Sequence, residues 1–143
     1  MLFRSADEPV LARGRETVQL WMGYDPGPMP TVDGHIYPGD VVRVGQEELE
    51  VRLAPGHSPG SLIYIHHASR QVWSGDVLFA GGVGRFDFAG SDGPTLLRSI
   101  REQLLTLPDD YKVYPGHGPA TTIGRERRSN PYLQAGAEYL FES

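Results

Sequence analysis

Three stretches of this sequence each place one ligand-type side chain inside a tight, glycine-rich turn. They are Leu53-Ala54-Pro55-Gly56-His57-Ser58-Pro59-Gly60, Trp73-Ser74-Gly75-Asp76 and Val113-Tyr114-Pro115-Gly116-His117-Gly118-Pro119. A glycine before the polar residue lets the backbone turn sharply and leaves room beside it. Imidazole and carboxylate groups are good ligands for zinc, iron or manganese. The chain has no cysteine, so thiolate metal sites and disulfides are excluded, and any metal must be held by His, Asp or Glu. Taken singly, a His in a Pro-Gly turn or an Asp after Gly is an ordinary turn residue. Two Pro-Gly-His triplets in one short chain make coincidence a poorer account, yet spacing alone yields only a three-ligand cluster as one reading. The other histidines read as solvated: His35 lies in a loop, and His66-His67 ends a strand with its two side chains facing opposite ways.

Each of the three turns follows a short apolar run, and strand ends give such residues a rigid frame. Residues 41–44 and 49–53 read as strands around a turn at 45–48, the second with clean period-two alternation. Residues 62–65 and 71–73 read as a further pair around Ala68-Ser69, and 112–114 as one more strand. The clearest helix covers 95–107, with Leu96, Leu97, Ile100, Leu104 and Leu105 on one face and Pro108 as a stop. A helix over 6–22, broken near Gly14 and capped by Ser5 or Asp7, precedes a proline-rich loop at 23–30. Short helices are expected within 120–128 and 131–141. A meander of strands followed by helices suggests an α+β layered architecture.

At 143 residues and 39% hydrophobic content, the chain fits one domain spanning 1–143. Its net charge of -5 argues against a nucleic-acid or anionic-membrane surface, and the basic run Arg125, Arg127, Arg128 is too short to reverse that. No apolar stretch reaches membrane-spanning length, and residues 1–8 lack the apolar core of a secretion signal, so the expected location is cytoplasmic.

Four segments together carry a resemblance. Ala54-Pro55-Gly56-His57-Ser58-Pro59-Gly60-Ser61, Ser74-Gly75-Asp76-Val77-Leu78-Phe79, Gly84-Arg85-Phe86-Asp87 and Tyr114-Pro115-Gly116-His117-Gly118 resemble, in order, successive motifs of the metallo-β-lactamase superfamily. The tail from Thr121 through Arg125, Arg128 and Asn130 to Tyr132 is similar to its glyoxalase II-like, hydroxyacylglutathione hydrolase-like branch. The resemblance implies an αββα sandwich and a hydrolysis of small glutathione thioesters carried out with two zinc ions, iron or manganese being alternatives. It implies that His57 is a histidine of the first metal site, Asp76 the carboxylate bridging both metals and His117 a histidine of the second. Asp76 and His117 then carry the catalytic roles. It places Arg85 and Asp87 in a segment that orients ligands, against a plain reading of the two as a surface ion pair. Tyr114, Arg125 and Arg127 are conceivable contacts for an anionic substrate, beside the plainer reading of ordinary surface residues.

The superfamily's His-x-His-x-Asp-His segment, which supplies most of the metal ligands, does not occur in these 143 residues. The chain is therefore expected to form an incomplete, C-terminal half of the sandwich, with partial metal occupancy, little thioesterase activity and an open sheet face covered by a second copy. Two alternatives stand beside the hydrolase: an iron-dependent persulfide dioxygenase-like protein retaining His57 and Asp76 as ligands, and a non-catalytic oligomerising remnant.

Overall fold

A computed structural model describes residues 2–3 and 5–142. Met1 and Arg4, part of the terminal segment considered above, and the Ser5 side chain lie outside the described residues. The chain divides into two compact units, Met1–Ile36 and Tyr37–Ser143. The first holds β1 (Leu2–Phe3), paired in parallel with β2 (Gly34–His35), and the helices α1 (Glu8–Ala12) and α2 (Gly14–Met22). The break expected at Gly14 is present. Asp7 occupies the N-cap position of α1 without a side-chain cap bond. His35 is drawn into β2 rather than a loop, and its Nε2 lies 2.9 Å from Glu8 Oε1.

The second unit is built on a six-stranded sheet in the order β10-β9-β6-β5-β4-β3. Its strands are β3 (Val41–Val44), β4 (Glu47–Leu53), β5 (Leu62–His66), β6 (Gln71–Gly75), β9 (Lys112–Pro115) and β10 (Thr121–Thr122). A small hairpin, β7 (Leu78–Phe79) with β8 (Gly82–Val83), lies between β6 and β9 in sequence. The β3–β4 turn is tighter than its sequence suggested: Val44 pairs with Glu47, and Gly45 at φ 63° closes the hairpin in two residues.

Alternation along β5 and β6 buries Ile63, Ile65, Val72 and Ser74 on one face. Leu96, Ile100, Leu104 and Ile123 join that core from helices α3 (Gly93–Ser99) and α4 (Ile123–Ser129) and the turns between. Helix α3 begins at Gly93 because the Asp92 side chain accepts from the Thr95 N–H. After Ser99 it widens into π-type turns over Ile100–Leu104, where the Leu105 N–H donates to the Ile100 carbonyl. The C-terminal stretch forms two 3-10 turns, Pro131–Leu133 and Ala137–Phe141, rather than one helix, because Gly136 at φ 83° interrupts it.

Candidate functional site

Strand direction decides where the three turns of interest meet. β4 is antiparallel to β5, β5 is antiparallel to β6, and β6 is parallel to β9. Strands β4, β6 and β9 therefore run the same way, and their C-terminal ends share one rim of the sheet. His57 follows β4, Asp76 follows β6 directly, and His117 lies just past β9. Pairing of Gly75 with Pro115 sets the last two side by side.

At that rim the Asp76 carboxylate stands between the two histidines. Its Oδ1 is 2.9 Å from His117 Nδ1, and its Oδ2 is 3.6 Å from His57 Nε2. His57 Nδ1 lies 2.9 Å from the Arg85 carbonyl, which can only accept, so Nδ1 is the donor there and Nε2 is the ring nitrogen that faces Asp76. The Phe88 ring meets His57 edge-on at 5.2 Å, and Phe79 meets His117 at 6.1 Å. The histidines are held unequally: the His57 side chain is 24% exposed and that of His117 78%.

Helix α3 fixes the His57 turn from behind. Ser99 Oγ donates to the Pro55 carbonyl at 2.7 Å, and the Asp92 N–H donates to the Gly56 carbonyl at 2.7 Å. Gly56 sits at φ 135° with the Leu96 backbone so close that a Cβ would lie 2.3 Å from Leu96 Cα, so only glycine fits.

The side chains of Arg85 and Asp87 form an exposed ion pair, Nε to Oδ1 at 3.0 Å. The Asp87 bond raises the Arg85 pKa, and the Arg85 guanidinium in turn holds the Asp87 carboxyl below its ordinary range. It is the Arg85 main chain, not its side chain, that touches His57. Tyr114 stacks on Trp73 at 5.8 Å. Arg125 is exposed on the first turn of α4. Arg127 is engaged elsewhere: it pairs with Asp109 and donates to the Leu105 and Leu107 carbonyls, tying α4 to the preceding loop. His66, read as solvated, has a side chain only 14% exposed, with Nε2 2.7 Å from Glu47 Oε2. His67 reaches the other way, to Tyr111 OH at 2.8 Å and to Glu50.

Among the described residues, no group of three or more His, Asp or Glu encloses a single point. The donors come instead as two pairs sharing Asp76. Their chemistry, imidazole nitrogen beside carboxylate oxygen, suits a divalent cation. Each pair alone supplies fewer donors than the three protein ligands usual for catalytic zinc.

The sequence profile of the metallo-beta-lactamase superfamily matches residues 3–117. The chain belongs to the metallo-beta-lactamase superfamily. It is 45% identical over 97 residues to hydroxyacylglutathione hydrolase GloC of Haemophilus influenzae, covering 68% of this chain and 46% of that protein. It is 37% identical over 110 residues to the human mitochondrial persulfide dioxygenase ETHE1, covering 74% and 43%. The crystal structure of TTHA1623 in a di-iron-bound form superposes with a TM-score of 0.80 at 37% identity, covering 92% of this chain and 64% of that one. The chain thus spans about half the length of the curated relatives it matches. A mixed sheet with helices, part of the metallo-beta-lactamase fold, is established for it, within a superfamily of metal-binding hydrolases. No helix among the described residues is long and apolar enough to cross a membrane.

Two contributors to the site escaped the sequence reading. Phe88 packs on His57 although nothing in its local pattern marks it, and Phe79, quoted only as the end of a motif-like segment, packs on His117. Glu126 and Asn130 were quoted only as part of a similar tail, and their burial is visible only in three dimensions.

Proposed function

We propose that this chain carries the Asp76-centred part of a metal-dependent hydrolase acting on glutathione thioesters. The observation that supports it is the placement of both histidines against opposite oxygens of one carboxylate. On this reading His57 and Asp76 hold one cation, and Asp76 and His117 hold a second. A bound divalent cation would lower the pKa of water and polarise a carbonyl. The protein's own part is orientation. The Arg85 carbonyl fixes the proton on His57 Nδ1 and leaves Nε2 as the donor, which is how outer hydrogen bonds commonly set a ligating histidine. The backbone on either side of Asp76, held by β6 and the following hairpin, keeps the carboxylate between the two rings. Exposed Arg125 offers a charge for a carboxylate of a glutathione moiety, with Tyr114 beside the rim of the sheet.

A second reading follows from the unequal histidines. His57 is built into the turn and His117 is largely open to solvent, which favours one strong site over two equal ones. A single iron held through His57 and Asp76 fits a persulfide dioxygenase-like activity.

Metal titration separates the two. The hydrolase reading expects up to two equivalents of zinc and, for the chain alone, slow turnover of a 2-hydroxyacyl-glutathione. The dioxygenase reading expects one equivalent of iron that survives His117→Ala. Asp76→Asn should abolish either. Unchanged binding in that variant would sink both readings.

A further inference from the structure

Glu126 is 1% exposed, and its neighbour Asn130 is completely buried. The side-chain hydrogen bonds of both go to residues other than His57, Asp76 and His117. The Glu126 carboxylate nonetheless accepts three hydrogen bonds. Oε2 takes the Gly81 N–H at 2.9 Å and Asn130 Nδ2 at 2.8 Å, while Oε1 takes the Thr121 hydroxyl at 2.6 Å. Asn130 Nδ2 also donates to the Gly82 carbonyl at 3.0 Å, and its Oδ1 accepts the Tyr132 N–H. Gly81 lies in the tip of the β7–β8 hairpin and Gly82 opens β8. Helix α4 and its C-cap Asn130 thus grip the hairpin by one N–H and one carbonyl, from inside the protein where unpaired polar groups are costly.

The hairpin is the one piece of chain joining Asp76 to Arg85, and it reaches all three side chains of the site. Its neck closes where the Gly84 N–H donates to the Val77 carbonyl at 3.1 Å. Gly84 packs so tightly there that a Cβ would lie 1.9 Å from the Asp76 carbonyl oxygen and 3.2 Å from His57 Cβ. Arg85, the next residue, gives its carbonyl to His57, and Phe79 within the hairpin faces the His117 ring.

We propose that Glu126 and Asn130 are positioning residues for the Asp76 centre, acting through the β7–β8 hairpin that they clamp. The proposal rests on the metal-holding reading of that centre for its functional meaning, but not for its physical content. The chemistry of the clamp predicts which substitutions it tolerates. The two N–H donors on Oε2 cannot reverse, whereas the Thr121 hydroxyl on Oε1 can turn and accept. Glu126→Gln keeps all three bonds with its amide nitrogen toward Thr121. Glu126→Ala leaves the donors unpaired. Asn130→Asp, equal in shape, sets a carboxylate oxygen against Glu126 Oε2 and the Gly82 carbonyl.

The test combines amide hydrogen exchange with zinc titration. Relative to the Ile65 and Val113 amides, which report global opening, the Gly84 amide should exchange at least about tenfold faster in Glu126→Ala and Asn130→Asp. It should stay near wild type in Glu126→Gln. Zinc should bind the two disruptive variants about tenfold more weakly, the effect expected when supports behind metal ligands are removed. Should either variant fail to fold, Thr121→Val removes a single bond and should show the same pattern in smaller measure. If Gly84 protection falls only as much as that of Ile65 and Val113, Glu126 stabilises the fold alone and the proposal is overturned. Loss in Glu126→Gln equal to that in Glu126→Ala would count against it equally. A wild-type chain that takes up no zinc would end the metal reading, while the exchange comparison would still decide the clamp.

Discussion

His57 and His117 stand against the same carboxylate, but only His57 is also tied to a main-chain carbonyl and has its ring largely covered. That difference comes from the main chain around them more than from the histidines. Gly116 and Gly84 are the residues that let the backbone come so close. A Cβ at Gly116 would sit 2.6 Å from Asp76 Oδ1, the movable end of a side chain. Gly116→Ala should therefore fold normally but push the carboxylate off His117, seen as weaker uptake of zinc with an unchanged urea midpoint. Gly84→Ala meets backbone instead, and a backbone shift of that kind costs about 1–3 kcal/mol. It should lower the urea midpoint and zinc affinity together. Equal behaviour of the two variants would contradict this account of the site.

Helix α3 is the element that both closes the core and backs the His57 turn. Its cap, Asp92, has its carboxyl held below the ordinary range first by the Thr95 hydroxyl and then by the Thr95 N–H. A group that titrates lower in the folded protein than in the unfolded chain stabilises the fold above its unfolded pKa. That stabilisation is lost as pH falls through the folded value. Asp92→Ala should lower the urea midpoint at neutral pH, and the gap to wild type should close in acid. A gap that persists when the carboxyl is protonated would show that the cap acts through something other than its charge. In the π-type turns that continue α3, Leu104 is fully buried, and Leu104→Ala should cost about 2–5 kcal/mol without altering the rim of the sheet.

For the Tyr37–Ser143 unit as a whole, the face of the sheet opposite the helices carries an aligned row. Val51, Tyr64, Trp73 and Tyr114 are successive cross-strand partners and so point the same way. Burial raises the Tyr64 pKa, whereas Trp73 is still 38% exposed and stacks on Tyr114. Val51 is buried, but at the other end of the row the exposed Trp73 and its stack with Tyr114 leave an apolar patch, and such a patch favours self-association. Sedimentation velocity should show a concentration-dependent larger species that Trp73→Lys diminishes. A monomer at every concentration would dispose of the second-copy reading.

Chemistry at short range was legible in the residues alone. The three Gly-presented ligand types, the apolar alternation of β5 and the leucine-isoleucine face of α3 are all local patterns, set by backbone sterics and by side-chain periodicity. The superfamily resemblance followed from their order. Sequence could not show that Arg85 serves His57 through a carbonyl, since every residue has one and only the fold aims it. Nor could it show that Arg127 is occupied by Asp109, that His66 is covered, or that Glu126 is buried with three donors around it. Those outcomes depend on which distant strands run in the same direction and which loops they bring together. Tertiary pairing therefore decided them, because a hydrogen bond between residues far apart in the chain leaves no trace in the spacing of its two ends.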